Sequence, residues 1–373
     1  MKLIKDPKIL YPVLGAVCAL LGTGALLLGM ILLWGALCVA ANAFFAAGIV
    51  CGTESKTVRR SNPMANFSED EPEEIDVQTF RVPILPALLA LLLAVAAGLI
   101  TKSPLVGLLV LFTWGGVGFP LVACVLGRQE FGLSMQTGLI SASVLTGIAG
   151  ALQVWVSSPG NTFDLKYCYT RLTDVIGNAF STVFAELSAA AQKEPIPLPD
   201  GTSLTDFLSA YSPEEFAKNA VDTLLSVMPS VFAVAVLVLC CATWWGMKAI
   251  LIRTRNTEVK YMGRIDGYVP GRILPTLYLL FVIANLLTEP GSGFQIAAMN
   301  VVTVLSAVLT YAGFSLILYV INTRVRAKVG RIFLILATVA VSVSSCGGSI
   351  LVLLGLFSAG RDLRKTFGGG TYL

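Results

Sequence analysis

Histidine is absent from this 373-residue chain. With it go the commonest general base, the usual proton shuttle and the imidazole ligand of most catalytic zinc sites, which excludes metalloproteases of the HExxH type. Charge is scarce as well. Asp, Glu, Lys and Arg make up 13% of residues, against about 25% in soluble domains. A water-soluble globule of this size needs a more polar surface, so a soluble enzyme, a secreted domain and a disordered tail are excluded. There is no G-x-x-x-x-G-K-[ST] run, which removes ATP binding by that route. None of the eight cysteines forms a C-x-x-C pair; most lie in apolar stretches as small hydrophobic side chains, and no structural disulfide is expected. The apolar stretches also lack the paired carboxylates and buried bases of proton-coupled pumps and ion pathways.

What is present is hydrocarbon. Mean hydropathy is +0.80. Runs free of Asp, Glu, Lys and Arg cover 9–53, 82–101, 103–127, 131–163, 223–247, 273–288, 290–323 and 332–360. A helix crossing a bilayer needs about 20 apolar residues. The first run is long enough for two spans with a turn near Gly29, and the rest supply one each. These runs are uniformly apolar rather than alternating, which excludes a β-barrel. The fold class is therefore all-α, a polytopic transmembrane helix bundle of about 8–10 spans with an amphipathic helical segment outside the membrane. Lys2, Lys5 and Lys8 precede the first span like the start of a signal peptide, but no small-residue cleavage site follows promptly, and an uncleaved span is expected.

Basic residues orient loops toward the cytoplasm. Six fall in 248–272 and four in 324–331, whereas 158–227 has four bases against nine acids. The consistent topology has a cytoplasmic N-terminus and an outer 158–227 segment. It divides the chain into an N-terminal transmembrane hairpin (1–53), an acidic flexible cytoplasmic loop (54–81), three transmembrane helices (82–157), extracytoplasmic amphipathic helices (158–227), and C-terminal transmembrane helices with a basic tail (228–373). One end resists the rule. A single crossing by 332–360 puts Arg361, Arg364 and Lys365 outside, whereas two half-helices broken near Ser342–Ser349 bring the tail back inside. Both arrangements fit the sequence.

The acidic loop reads either as a solvated linker or as a partner-docking patch. The outer segment carries Leu172, Val175, Ile176, Ala179, Phe180, Val183, Phe184 and Leu187 at helical spacing, one apolar stripe. Pro195, Pro197 and Pro199 end that helix. Ser212, Pro213 and Glu215 then read as N-cap, first turn and capping box of a helix continuing through Pro229 into the membrane. These helices either lie on the lipid interface or cap a substrate cavity.

Neutral polar groups carry whatever the interior does. Asn42, Trp114, Gln153, Asn285, Asn300, Tyr311 and Ser315 lie in or near spans and must find partners there. Trp114, Asn285, Asn300 and Tyr311 are candidates to line a site for a neutral or zwitterionic small molecule; interhelical hydrogen bonds are the plainer role. Gly115, Gly116 and Gly118 ahead of Pro120 mark close packing or a kink rather than a phosphate loop. Small residues four apart recur, among them Gly15 and Ala19, and permit close helix packing within the chain or docking of a partner.

Three segments give the chain a family look: Tyr268-Val269-Pro270-Gly271-Arg272-Ile273-Leu274-Pro275, Asn322-Thr323-Arg324-Val325-Arg326, and the closing Gly355 to Lys365 with its Gly360-Arg361-Asp362-Leu363-Arg364-Lys365. In these and in the order of its spans the chain resembles the YybS-like family of bacterial membrane proteins, a domain-of-unknown-function family that is itself similar to the S components of energy-coupling-factor transporters. The resemblance implies a bacterial cytoplasmic-membrane protein that binds or transports a small solute and docks on a membrane partner subunit through small residues of its first span, at positions matching Gly15 and Ala19. It brings no catalytic residues. The alternative is a non-transporting scaffold or regulator of envelope processes such as division or sporulation. A membrane enzyme is disfavoured by the missing histidine and carboxylate pairs. No metal, cofactor or nucleic acid is expected; the lipid bilayer is the one certain partner.

Overall fold

A computed structural model describes residues 6–53, 55–59, 74–78, 84–193, 213–289, 291–342, 345–360 and 363–364. Twelve helices appear among them: α1 Pro7–Leu27, α2 Ile31–Gly52, α3 Ile84–Thr101, α4 Pro104–Leu111, α5 Gly118–Leu126, α6 Phe131–Ser157, α7 Leu165–Lys193, α8 Pro213–Arg253, α9 Ile273–Leu287, α10 Gly293–Arg324, α11 Lys328–Ser342 and α12 Ser345–Gly360. Six continuous or near-continuous helical stretches are long and apolar enough to cross a membrane, and three shorter apolar helices accompany them. Inside the expected acidic loop, Ser55–Arg59 and Glu74–Gln78 pair antiparallel as short strands β1 and β2, with Ser55 opposite Gln78. The sequence reading has no strands there, and the acidic run between the two strands lies outside the described residues.

Two compact units divide the chain. Unit 1 comprises Met1–Ala149, Ala233–Leu280 and Val304–Leu373; unit 2 comprises Gly150–Phe232 and Phe281–Thr303.

Unit 1 begins with the α1–α2 hairpin. Asp6 caps α1 by accepting from the Lys8 N–H at 3.0 Å, and Pro7 starts the helix. Gly15, Ala19, Gly22 and Ala25 form its buried stripe. A Cβ at Gly15 would stand 2.9 Å from the Phe45 ring, and one at Gly48 would stand 2.5 Å from Pro12. Small residues thus let the helices approach, the main source of association where lipid is as apolar as the side chains. The turn falls at Gly29, as expected, with φ +72°. The Met30 N–H reaches the Ala25 carbonyl and the Gly29 N–H the Leu26 carbonyl, a Schellman stop.

Three other helices stop in the same way on a basic residue instead of glycine. Lys102, Arg128 and Arg255 have φ of 52°, 51° and 54°. The following N–H groups of Ser103, Gln129 and Asn256 bond the carbonyls of Gly98, Cys124 and Leu251. The cation at each stop complements the negative end of the helix dipole.

The tail is a hairpin. Asn322, in the last turn of α10, bonds Asp266, and Arg364, beyond α12, bonds the same 266–268 segment. α11 therefore leaves from, and α12 returns to, one end of unit 1, the arrangement of two short helices that the break near Ser342–Ser349 implies. With 15 and 16 residues, each helix is about 23 Å long, short of a bilayer core of about 30 Å. α12 packs on α10 through glycine: a methyl at Gly313 would collide with the Leu351 carbonyl, and one at Gly355 with the Leu309 carbonyl.

In unit 2, α7 runs antiparallel to the first half of α8. Phe180 meets Phe216 edge-on at 4.8 Å, and the Tyr169 hydroxyl donates to Asp222 at 2.7 Å. Ala217 and Val221 are buried, whereas Val175, Val183 and Leu187 of the α7 stripe remain exposed. α8 is 41 residues long with Pro229 inside, about twice what a crossing needs. This is the continuous helix the sequence implies; Ser212 and the prolines at 195, 197 and 199 lie outside the described residues.

Candidate functional site

The most buried of the six candidate spans is also the one that is interrupted. Residues 104–126 break at Phe112–Gly116, where Trp114 adopts φ −92°, ψ 22° and Gly115 φ +113°. The local sequence dictates this. Pro120 has no N–H to offer the Gly116 carbonyl, and its ring clashes with that carbonyl in a regular helix. Gly115, Gly116 and Gly118 each lower helix propensity by about 1 kcal/mol relative to Ala. The sequence reading of a kink before Pro120 is realised as a π-type turn in the middle of the span.

Freed backbone groups inside a membrane need partners, and the neighbouring helices supply them. Asn42 of α2 is fully buried. Its Nδ2 donates to the Phe112 carbonyl at 2.7 Å and to the Cys38 carbonyl at 2.8 Å, while its Oδ1 accepts from the Gly118 N–H at 2.8 Å. One amide thus bridges both sides of the break. The Trp34 indole donates to Thr113 Oγ1 at 2.8 Å, and the Trp114 indole to Thr23 Oγ1 at 3.1 Å. Thr23 and Thr113 each pass their own proton to a carbonyl one turn back, Ala19 and Leu109. Trp114 also stacks on Phe45, with ring centroids 6.2 Å apart.

The other sequence candidates sit elsewhere. Tyr311 belongs to an aromatic cluster around Phe131, whose centroid is 5.3–5.9 Å from those of Trp244, Trp245, Tyr268 and Tyr311. Its hydroxyl accepts from the Trp245 indole at 3.1 Å. In unit 2, Asn300 donates to the Ser226 and Ile296 carbonyls at 2.7 and 2.9 Å and accepts from the Ser230 N–H at 3.1 Å. It thereby spans the backbone pair flanking Pro229 much as Asn42 spans the break. Asn285 is half-buried, and its shielded Oδ1 accepts no hydrogen bond among the described residues. Gly15 and Ala19 face α2 and are used up in packing within the chain.

A second polar cluster escapes sequence reasoning because its parts are far apart in the chain. Buried Asp266 takes the Arg264 guanidinium on both oxygens, at 3.0 and 2.9 Å, and the Asn322 amide at 2.9 Å. Burial pushes its carboxyl up, but the Asn322 and Arg264 hydrogen bonds outweigh that and hold it below its ordinary value. Arg364, also buried, donates to the Asp266 carbonyl at 2.9 Å, the Tyr268 carbonyl at 2.8 Å and Ser315 Oγ at 2.9 Å. Burial pushes the Tyr268 phenol up to about 12, so it stays protonated. Residues from all three family-like segments (Tyr268, Asn322 and Arg364) thus meet at this one end. Asp266 is one of only two carboxylates, with Glu258, among the six bases of 248–272, and that is the signal that points to it. No group of His, Cys, Asp and Glu suited to a metal ion occurs among the described residues.

Residues 77–357 match the family described as predicted membrane protein (DUF2232), about three quarters of the chain, and the chain belongs to that family. No curated protein and no solved structure matches.

Proposed function

We propose that this member of a membrane-protein family binds and translocates a small neutral or zwitterionic solute at the mid-span break of 104–126, without a chemical reaction. The observation that carries this reading is the discontinuous helix itself, bridged by side-chain hydrogen bonds that a ligand can take over. Irregular backbone at membrane depth is tolerated where it is buried in protein or lines a path, and broken helices are where transporters place their binding sites. Asn42, Thr23, Thr113 and the indole of Trp114 offer neutral donors and acceptors there and no charge, which suits an uncharged or internally balanced ligand. The positive-inside bias places the basic 248–272 loop, the N-terminus and the Arg364 tail on the cytoplasmic side of a bacterial inner membrane. A coupling subunit, in the manner of S components, would engage a surface other than Gly15 and Ala19, which α2 occupies.

One observation favours the second reading, a non-transporting scaffold: Asn42 already satisfies both the Phe112 carbonyl and the Gly118 N–H. Purification followed by mass spectrometry of co-purified small molecules separates the two. Transport predicts a retained small molecule that is lost from Trp114→Phe and Asn42→Asp, and altered uptake of that molecule on gene deletion. An empty protein together with unchanged uptake overturns it.

A further inference from the structure

An open cleft of about 310 Å³ lies at the basic end of unit 1, walled by Trp245, Lys248, Ile252, Arg264, Asp266 and Asn322. Its construction is asymmetric. Trp245 and Ile252 of α8 provide an apolar wall, and Ile252 is exposed along the helix flank. Two cations stand over that wall. The Lys248 ammonium lies 5.3 Å from the Trp245 ring centroid and donates to the Gly263 carbonyl, which fixes a group that is otherwise mobile. The Arg264 side chain is 74% exposed although it holds Asp266 on two oxygens. It uses Nε and one terminal nitrogen for that pair, and its other terminal nitrogen makes no hydrogen bond to protein among the described residues.

The lining therefore carries two cations and one carboxylate. That carboxylate is already occupied by Arg264 and Asn322, so it does little to repel an incoming anion. One net positive charge beside an apolar helix flank complements a singly charged phosphodiester attached to hydrocarbon. Basic pockets between membrane helices bind such headgroups by the same physics.

We propose that this cleft is a phosphate-binding site, with Lys248 and Arg264 holding the phosphate oxygens and the α8 flank at Ile252 accompanying the rest of the ligand. Two sources supply this chemistry, the headgroup of an anionic phospholipid and a soluble phosphate ester.

The test uses the full chain in detergent micelles and native mass spectrometry. Phosphatidylglycerol and phosphatidylcholine are offered separately, and glycerol 3-phosphate is added as a competitor. Wild-type protein should retain phosphatidylglycerol about 30-fold better than phosphatidylcholine, the effect of two basic groups at an anionic surface. The Lys248→Gln/Arg264→Gln double variant should lose that preference, and Arg272→Gln, on an exposed base outside the cleft, should keep it. Lys248→Gln alone leaves the Arg264–Asp266 pair intact and should lose part of the preference, which separates site loss from misfolding. Displacement by glycerol 3-phosphate identifies the soluble ester as the source, and persistence of the bound lipid identifies the headgroup; either supports the site. Equal retention of the two lipids by wild type, or a double variant that holds phosphatidylglycerol as wild type does, overturns it.

Discussion

Replacing Asn42 with Leu keeps the branching and heavy-atom count of the side chain and removes the hydrogen bonds across the helix break. The cost can be worked from the contacts. Two of the bonds, to the Phe112 carbonyl and from the Gly118 N–H, bridge to the interrupted span. Interhelical hydrogen bonds in membrane proteins average about 0.6 kcal/mol, so the pair contributes about 1.2 kcal/mol. The two backbone groups then fare differently. Phe112 keeps a contact from Cys38 Sγ at 3.5 Å, whereas the Gly118 N–H loses its side-chain acceptor, at about 1–3 kcal/mol. The sum is a destabilisation of about 2–4 kcal/mol. Denaturation by SDS in mixed micelles, followed by tryptophan fluorescence, measures it, because Trp34 and Trp114 report on this region. Asn42→Asp, protonated in so buried a place, retains one donor and one acceptor and should recover at least half of the loss. If Asn42→Leu stays within about 0.5 kcal/mol of wild type, the backbone at the break does not depend on Asn42, and the account of the site is wrong.

Glycine substitutions sort by their surroundings. Gly355→Ala should cost about 1–3 kcal/mol by forcing α12 off the Leu309 carbonyl. Gly24→Ala, with open space around it, should gain up to about 1 kcal/mol in the same assay. Lys102→Gly should raise stability by about 1 kcal/mol through relief of its left-handed backbone; no gain, or a loss, would show that the ammonium itself holds the helix end. The Asp266 carboxyl is held below its ordinary value, so its contribution is present above the unfolded value near about 3.9 and is lost as pH falls through the lower folded value. Thiol labelling of an Arg364→Cys tail should already be fast at neutral pH. Stability in the SDS assay should be flat from pH 8 to 5 as far as Asp266 is concerned and fall only below about pH 4, a fall that Asp266→Asn abolishes; an Asp266-dependent loss between pH 5 and 8 would refute the assignment.

Much of the architecture was legible because hydrocarbon thickness constrains sequence so strongly. Charge-free runs marked the spans, Gly29 marked the first turn, and the period of 3.6 in Leu172–Leu187 marked α7. The neutral amides were also visible, but not their employment: a lone Asn in an apolar run looks alike whether it bridges a break, as Asn42 does, or waits for a ligand. The interruption at Phe112–Gly116 was half legible, since three glycines ahead of Pro120 announce a kink without giving its geometry. The Arg364–Asp266 cluster was hidden for another reason. Its members are separated by 98 residues, and no local pattern encodes which loop a returning tail will meet. The strands at 55–59 and 74–78 were missed because charge and low hydrophobicity dominate that stretch and mask a short backbone pairing.

The basic residues at three helix stops have a consequence for how the chain sits in lipid. A helix ending on glycine can slip a residue deeper or shallower with little penalty. Lys102, Arg128 and Arg255 instead put a full charge on the last turn's closing residue. Drawing such a charge toward the bilayer centre costs up to about 2.5–3.5 kcal/mol on insertion scales. The residue that ends the helix therefore also fixes its depth, like a float at the end of a line. In a membrane thinner or thicker than its own, a protein moored this way should answer by tilting its helices rather than by sliding them.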